Sequence, residues 1–70
     1  MLTVALEAPR PEVMHIHLYN PTGQRVWENT LSLRTGYQTL RLRLPTLPSG
    51  RYWLQLHAGR QNHGQAIQIQ

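Results

Sequence analysis

The side chains that could do chemistry in this chain are few, and their types restrict what that chemistry can be. Its 70 residues contain four His, three acidic residues that are all Glu, seven basic residues that are all Arg, and no Cys. With so few acids, bases and nucleophiles, hardly any catalytic combination can be built. Ser32 and Ser49 lie in no nucleophile motif, and the sequence has no glycine-rich phosphate loop. We therefore expect no enzymatic activity and no cofactor.

Three histidines are the candidates for a metal site. His15 and His17 are two residues apart on one predicted strand, so both rings project from the same face. Together with His57 they would offer three imidazoles, which approaches a zinc ligand set. Ligating histidines usually donate their second ring N–H to a carboxylate or carbonyl, and no carboxylate is placed to accept it here. We therefore predict a polar, solvent-facing strand surface and no metal.

A basic face with one aromatic ring is the other candidate site. The net charge of +4 invites contact with phosphates. If the fourth and fifth predicted strands share a sheet, their outward positions form one face, made of Arg41, Arg43, Arg51, Trp53 and His57. Such a face would suit a small basic β module that binds single-stranded nucleic acid or a glycan, or it would dock onto a protein. We favour a solvated face whose Arg stems cover the indole, and we expect no nucleic-acid binding.

The elements that must position these side chains are β-strands. Apolar and polar residues alternate with a period of two, which predicts strands with one buried and one solvent-facing side. The alternating segments are 2–7, 14–19, 39–44, 51–57 and 66–70. No segment repeats apolar residues at helical spacing, and none approaches the about 20 apolar residues needed to cross a bilayer. We therefore expect neither helices nor insertion into a membrane.

A further strand, between residues 25 and 33, has an interrupted pattern. Val26 is at an even-numbered position, whereas Trp27 and Leu31 are at odd-numbered positions, so in a regular strand they would point to opposite faces. A bulge near Glu28–Asn29 would let the apolar side change faces. The alternative is two short strands, at 24–27 and 30–33.

Turn-forming residues separate the strands. The segment 20–23, Asn-Pro-Thr-Gly, fits a type I turn with Pro second and Gly fourth. The proline-rich segment 44–50 is predicted to cross from one sheet to the other, because proline cannot donate to a ladder. A last turn is predicted from Ala58 to Gly64. Together these signals predict an all-β fold, a small antiparallel immunoglobulin-like β-sandwich of six to seven strands.

The inward apolar positions form the predicted core. They are Leu2, Val4, Leu6, Met14, Ile16, Leu18, Val26, Leu31, Leu40, Leu42, Leu44, Leu47, Tyr52, Leu54, Leu56, Ile67 and Ile69. Because the hydroxyl of an inward Tyr52 needs a hydrogen-bond partner, we predict that it ties a loop to the end of the sandwich. Gly23 and Gly50 are expected to hold backbone conformations that a side chain disfavours.

Two stretches carry a resemblance to a known family. Residues 18–26, Leu-Tyr-Asn-Pro-Thr-Gly-Gln-Arg-Val, resemble its signature of strand, turn, glycine, polar residue, basic residue and valine. Residues 47–56, Leu-Pro-Ser-Gly-Arg-Tyr-Trp-Leu-Gln-Leu, resemble its L-P-x-G-x-Y-x-L-x-L element. A turn with Gly59 and an alternating terminal strand follow. In this order, the motifs from Leu2 to Gln70 resemble the C-terminal sorting domain of type IX secretion cargo proteins.

The resemblance implies a role in protein export. Domains of this family are immunoglobulin-like sandwiches at the C-terminal end of larger secreted proteins, which they carry across the outer membrane of Gram-negative bacteria to the cell surface or medium. The implied partners are the type IX translocon, a cell-surface sorting protease and an upstream cargo domain. The family's Pro-Asn-Pro element is absent before strand one, so we expect the natural chain to continue upstream of Met1, with residues 1–70 forming one sorting domain.

The residues that the resemblance singles out for recognition lie in turns and in the last strand. They are Asn20, Gly23, Pro48, Gly50, Tyr52, Gly59, Arg60, Ile67 and Ile69. Asn20 stands where the family usually has Asp. The family often has Lys before its final strand, and here Arg60 is the only charged residue nearby, so we expect Arg60 to take over that role.

Overall fold

The computed structural model of this protein describes residues 2–70, which form six strands. The strands are β1 (Leu2–Ala8), β2 (Glu12–Tyr19), β3 (Arg25–Leu33), β4 (Gly36–Leu42), β5 (Gly50–Ala58) and β6 (Gln61–Ile69). All pairings are antiparallel, in a two-stranded sheet β1-β4 and a four-stranded sheet β3-β2-β5-β6. The predicted all-β sandwich is confirmed. We also expected the natural chain to continue upstream of Met1, and Met1 lies outside the described residues.

The connections between strands are of two kinds, hairpins within a sheet and crossings between the sheets. β2 and β3 form one hairpin, and β5 and β6 form the other, whereas the remaining connections pass from one sheet to the other. The proline-rich segment after β4 leads into β5 and therefore crosses between the sheets, as predicted. Across residues 2–70, the structure contains no helix long and apolar enough to span a membrane.

The core lies between the sheets and largely follows the predicted alternation. Ile16, Leu18, Leu42 and Leu54 are fully buried. Most other predicted core residues are buried or pack against this cluster. Val26 is the exception, with 36% of its surface exposed. The buried residues that the alternation missed are Ala8, Leu33, Gln38 and Ala58.

The irregularity of β3 lies at its start and not near Glu28–Asn29. Leu18 pairs with Trp27 and Tyr19 pairs with Arg25, so Val26 is the extra residue of a bulge. A bulge shifts the side-chain alternation by one residue, which turns Val26 to solvent and Trp27 toward the core. The strand continues unbroken to Leu33, so the alternative of two short strands is also wrong.

The last strand begins earlier than predicted. The final turn consists of Gly59 and Arg60 alone, and pairing with β5 starts at the pair Ala58 and Gln61. Gly59 has φ 57°, and Arg60 does not have a positive φ, which is the pattern of a type II′ hairpin turn. Residues 61–65 show no apolar alternation, but β5 offers their backbone a complete ladder, so they form a strand.

Gln38 is a buried polar residue that stabilises the crossing from β3 to β4. Its Nε2 donates to the carbonyl oxygen of Arg34 at 2.6 Å, and its Oε1 accepts from the Arg34 N–H at 3.2 Å. It is only 8% exposed. Gln38 is two residues from the inward-facing Leu40, so the alternation placed it on the inner side of β4. It was missed because its side chain is polar.

Candidate functional site

The strand register gathers most of the motif residues at one end of the four-stranded sheet. Tyr19 pairs with Trp53 and Gly50 pairs with Ile69. The β2–β3 turn, the entry to β5 and the exit of β6 therefore lie side by side. This end is here called the Tyr52 end, and it comprises residues 20–24, 48–53 and 66–69. Gly59 and Arg60 lie at the opposite end, roughly 26 Å away along β5 at about 3.3 Å per residue.

The side chain of Asn20 organises the β2–β3 turn. Its Oδ1 accepts from the backbone N–H groups of Thr22 at 3.1 Å and Gln24 at 2.9 Å and from the Thr22 hydroxyl at 2.8 Å. The N–H of Gly23 donates to the Asn20 carbonyl at 2.9 Å, which closes the predicted β-turn. An Asp carboxylate at this position could accept the same bonds.

Tyr52 fixes the loop that enters β5, as predicted. The residue is only 5% exposed, and its hydroxyl donates to the carbonyl oxygen of Pro48 at 2.7 Å. The hydrogen bond satisfies the buried hydroxyl and holds the end of the crossing segment against the sandwich. The loop before Gly50 is thus anchored to the end of the sandwich.

A shallow hollow lies beside this anchored loop. It encloses about 330 Å³, and its lining includes Pro21, Arg51 and Trp53. The Trp53 side chain is well exposed, with 46% of the residue accessible, and its Nε1–H donates to Gln55 Oε1 at 2.9 Å. An exposed indole beside a guanidinium is a combination that protein interfaces often use.

Gly64 makes room for the Trp53 ring. A Cβ on Gly64 would clash with Trp53 Cζ2, so the indole lies directly over the glycine backbone of the neighbouring strand. Gly64 was not among the predicted site residues. The sequence feature that could have identified it is a glycine inside a strand, which often marks a place where another group packs against the backbone.

At the opposite end, the backbone of Gly59 favours glycine because its φ is 57°. A Cβ there would lie 2.7 Å from Glu12 Oε1, a contact that a small shift of the Glu12 side chain would relieve. Arg10 Nε donates to the same carboxylate oxygen at 3.0 Å. Arg60 is exposed next to this glycine, which places it far from the Tyr52 end.

The predicted five-residue basic face does not form. Arg41 lies on β4 in the two-stranded sheet, whereas Arg51 and Trp53 lie on β5 in the four-stranded sheet. Arg43 follows the end of β4, and His57 lies farther along β5. The condition that the fourth and fifth strands share a sheet is not met, because the segment between them crosses.

His15, His17 and His57 line the outer side of β2 and β5. The rings of His15 and His57 face each other across the strands, with centroids 6.5 Å apart. One carboxylate approaches these rings: Glu28 Oε2 lies 3.7 Å from His17 Nε2, which is beyond hydrogen-bond distance. Within residues 2–70, no group of three or more His or acidic side chains is arranged to hold a metal ion.

The Asn20 turn gives the first testable prediction. Asn20→Ala removes the acceptor for two backbone N–H groups and is expected to cost about 1–2 kcal/mol of unfolding free energy, comparable with the loss of a capping side chain. Asn20→Asp keeps the acceptor and is expected to lie within about 0.5 kcal/mol of the original protein. Urea denaturation of the three proteins checks this. Equal losses in both variants would contradict the role of Oδ1.

Comparison with known proteins bears on the whole chain. A family model described as a secretion system C-terminal sorting domain matches residues 1–70. No curated protein matches the chain, and no solved structure does.

Proposed function

Since this chain belongs to the family of secretion system C-terminal sorting domains, we propose that it directs a cargo attached upstream across the outer membrane through the type IX translocon. The domain is a type IX sorting signal, and the secretion machinery recognises such domains as cargo tails. Proteins of this family are extracellular or at the cell surface. The observation that carries the proposal is that the family match spans the whole chain.

The finer proposal concerns the route and the partners. Residues 1–70 act as one tail unit of a longer protein from a Gram-negative bacterium. The tail binds the translocon, and a sorting protease at the cell surface then acts on the exported cargo. The family is one of sorting signals and not of enzymes, which supports a role for this domain in recognition and not in catalysis.

The Tyr52 end is the surface that we propose the translocon contacts. The Asn20 turn is held by hydrogen bonds to its own side chain, and the Pro48 loop is held by the Tyr52 hydroxyl. Loops that are ordered before binding lose less conformational entropy when they bind. Arg51 and Trp53 beside them provide side chains of the types that contribute most to protein–protein affinity.

Export of a fused cargo tests the proposed function. A fluorescent protein that carries a signal for passage to the periplasm is fused upstream of residues 1–70, in a host with a type IX apparatus. The fused protein is expected in the medium or on the cell surface, and the same protein without the tail is expected to stay in the periplasm. Cell fractionation and fluorescence measure the difference. Equal distribution of the two proteins would refute the proposal.

A further inference from the structure

The outer edge of β6 is an unpaired row of backbone hydrogen-bonding groups. β6 is the last strand of the four-stranded sheet and pairs only with β5. That pairing runs without a register shift from Gln61 to Ile69. One side of this nine-residue strand is therefore satisfied, and the other side has no partner within residues 2–70.

The register identifies which groups point to the free edge. In a two-residue hairpin the residues that flank the turn, here Ala58 and Gln61, form a hydrogen-bonded pair, and such pairs alternate along an antiparallel ladder. The backbone groups that point away from β5 consequently belong to every second residue. These residues are Asn62, Gly64, Ala66 and Gln68.

The β6 edge lacks the features that usually prevent pairing with another chain. Edge strands are commonly protected by charged side chains, prolines or bulges. The other three edge strands each contain charged residues: Glu7 in β1, Arg25 and Glu28 in β3, and Arg41 in β4. Residues 61–69 contain no Arg, Glu or Pro, and no register shift interrupts them. Of the four edges in residues 2–70, this one is the most open to an added strand.

Room for the side chains of an added strand exists on the inner side of β6. An open groove of about 370 Å³ runs between β1 and β6, and its lining includes Leu6, Leu56 and Gln65. Toward the Tyr52 end, Ile67 and Ile69 are only partly buried against the core. An added strand with inward apolar residues would cover both isoleucines.

We propose that β6 pairs with an extended segment of the secretion machinery, which adds a fifth strand to the four-stranded sheet. Only an extended backbone can satisfy the alternating N–H and C=O groups of a strand edge. The segment has apolar residues beside Ile67 and Ile69, which are only partly buried in the domain alone. A second copy of this domain is disfavoured because each copy has a net charge of +4. The inference rests on the proposed function and names the element that the machinery binds.

A proline at an edge-facing position tests the inference. Gln68→Pro removes an N–H that points to the free edge and preserves the hydrogen bonds between β5 and β6, which is the position where an edge strand tolerates proline. We expect a cooperative melting curve and a roughly tenfold or greater loss of exported fluorescent cargo, because the added strand loses a hydrogen bond and meets the ring. Gln68→Thr changes the same side chain but keeps the N–H, and it is expected to export at least tenfold more cargo than Gln68→Pro.

A second variant keeps the inference testable if the proline variant does not fold. Gln68→Lys leaves every backbone group in place and introduces an edge charge of the kind that blocks strand addition, so reduced export with an unchanged melting curve is expected. If Gln68→Pro folds and is fully exported, the inference is overturned. If Gln68→Pro does not fold, full export of Gln68→Lys overturns it. Either result leaves the proposed function intact. Failure of the unaltered tail to export refutes the proposed function itself.

The same variants distinguish pairing with the secretion machinery from pairing with a second copy of this domain. Sedimentation velocity of the isolated domain detects pairing with a second copy, and a monomer is expected. A dimer that Gln68→Pro abolishes, together with unchanged export, would assign the edge to a second copy and overturn the inference.

Discussion

Truncation after Gly64 is expected to abolish both the folding of the domain and the export of a fused cargo. The deletion removes Ile67 and Ile69 from the core-facing side of β6, a loss of about 1.5–3 kcal/mol for each side chain if it were fully buried, and less here because both are partly exposed. It also removes the hydrogen bonds that pair residues 65–69 with β5, each contributing about 0.5–1.5 kcal/mol. A domain of this length is expected to have only about 4–10 kcal/mol of stability.

Melting curves of the isolated domain and export of the fusion together check the truncation. The matched control is the pair Ile67→Val and Ile69→Val, which keeps the strand and costs about 0.5–1.5 kcal/mol for each substitution. That control is expected to fold and to be exported. A truncated tail that melts cooperatively, or that still exports its cargo, would contradict the prediction.

Leu54→Ala is expected to have the largest effect of any single substitution considered for this domain. Leu54 is fully buried at the centre of the four-stranded sheet, where it pairs with Leu18 on β2 and Gln65 on β6. Leucine-to-alanine changes at such sites cost about 2–5 kcal/mol, because they lose apolar contacts and leave a cavity. The variant is therefore expected to melt at a much lower temperature than the original domain and to export less cargo, because the Tyr52 end exists only in the folded sandwich.

Circular dichroism with thermal melting measures the fold of the Leu54→Ala domain, and the fluorescent fusion measures its export. Thr39→Ala on β4 is the control, because Thr39 is exposed and surface changes of this kind usually stay within about 0.5 kcal/mol. Normal export of an unfolded Leu54→Ala tail would show that the machinery reads a linear segment, and would argue against recognition of the Tyr52 end.

The alternation of apolar and polar residues was sufficient to predict most of the fold. It identified the inward sides of β1, β2, β4 and β5, because each of these strands buries one face and therefore has an apolar residue at every second position. The burial of Tyr52 and its tie to a loop followed from the same parity and from the need of a buried hydroxyl for a partner. The crossing after β4 followed from prolines that cannot join a ladder.

The first half of β6 and the position of the bulge in β3 could not be predicted from this pattern. Gln61 and His63 lie on the inner side of β6 but are exposed, because the two-stranded sheet opposite does not cover that side and leaves an open groove. Without burial there is no alternation, and the strand exists because β5 provides hydrogen bonds. The bulge at Val26 similarly depends on how β3 pairs with Leu18 and Tyr19.

The sequence by itself determined the all-β class, most of the turns and the family, since these depend on the types and order of neighbouring residues. Only the tertiary structure decided which strands are neighbours within a sheet. That choice brought the Asn20 turn beside the entry of β5 and left β6 at an edge. A strand's alternation specifies which face it buries, but its neighbours are set by how the whole set of strands packs around one core.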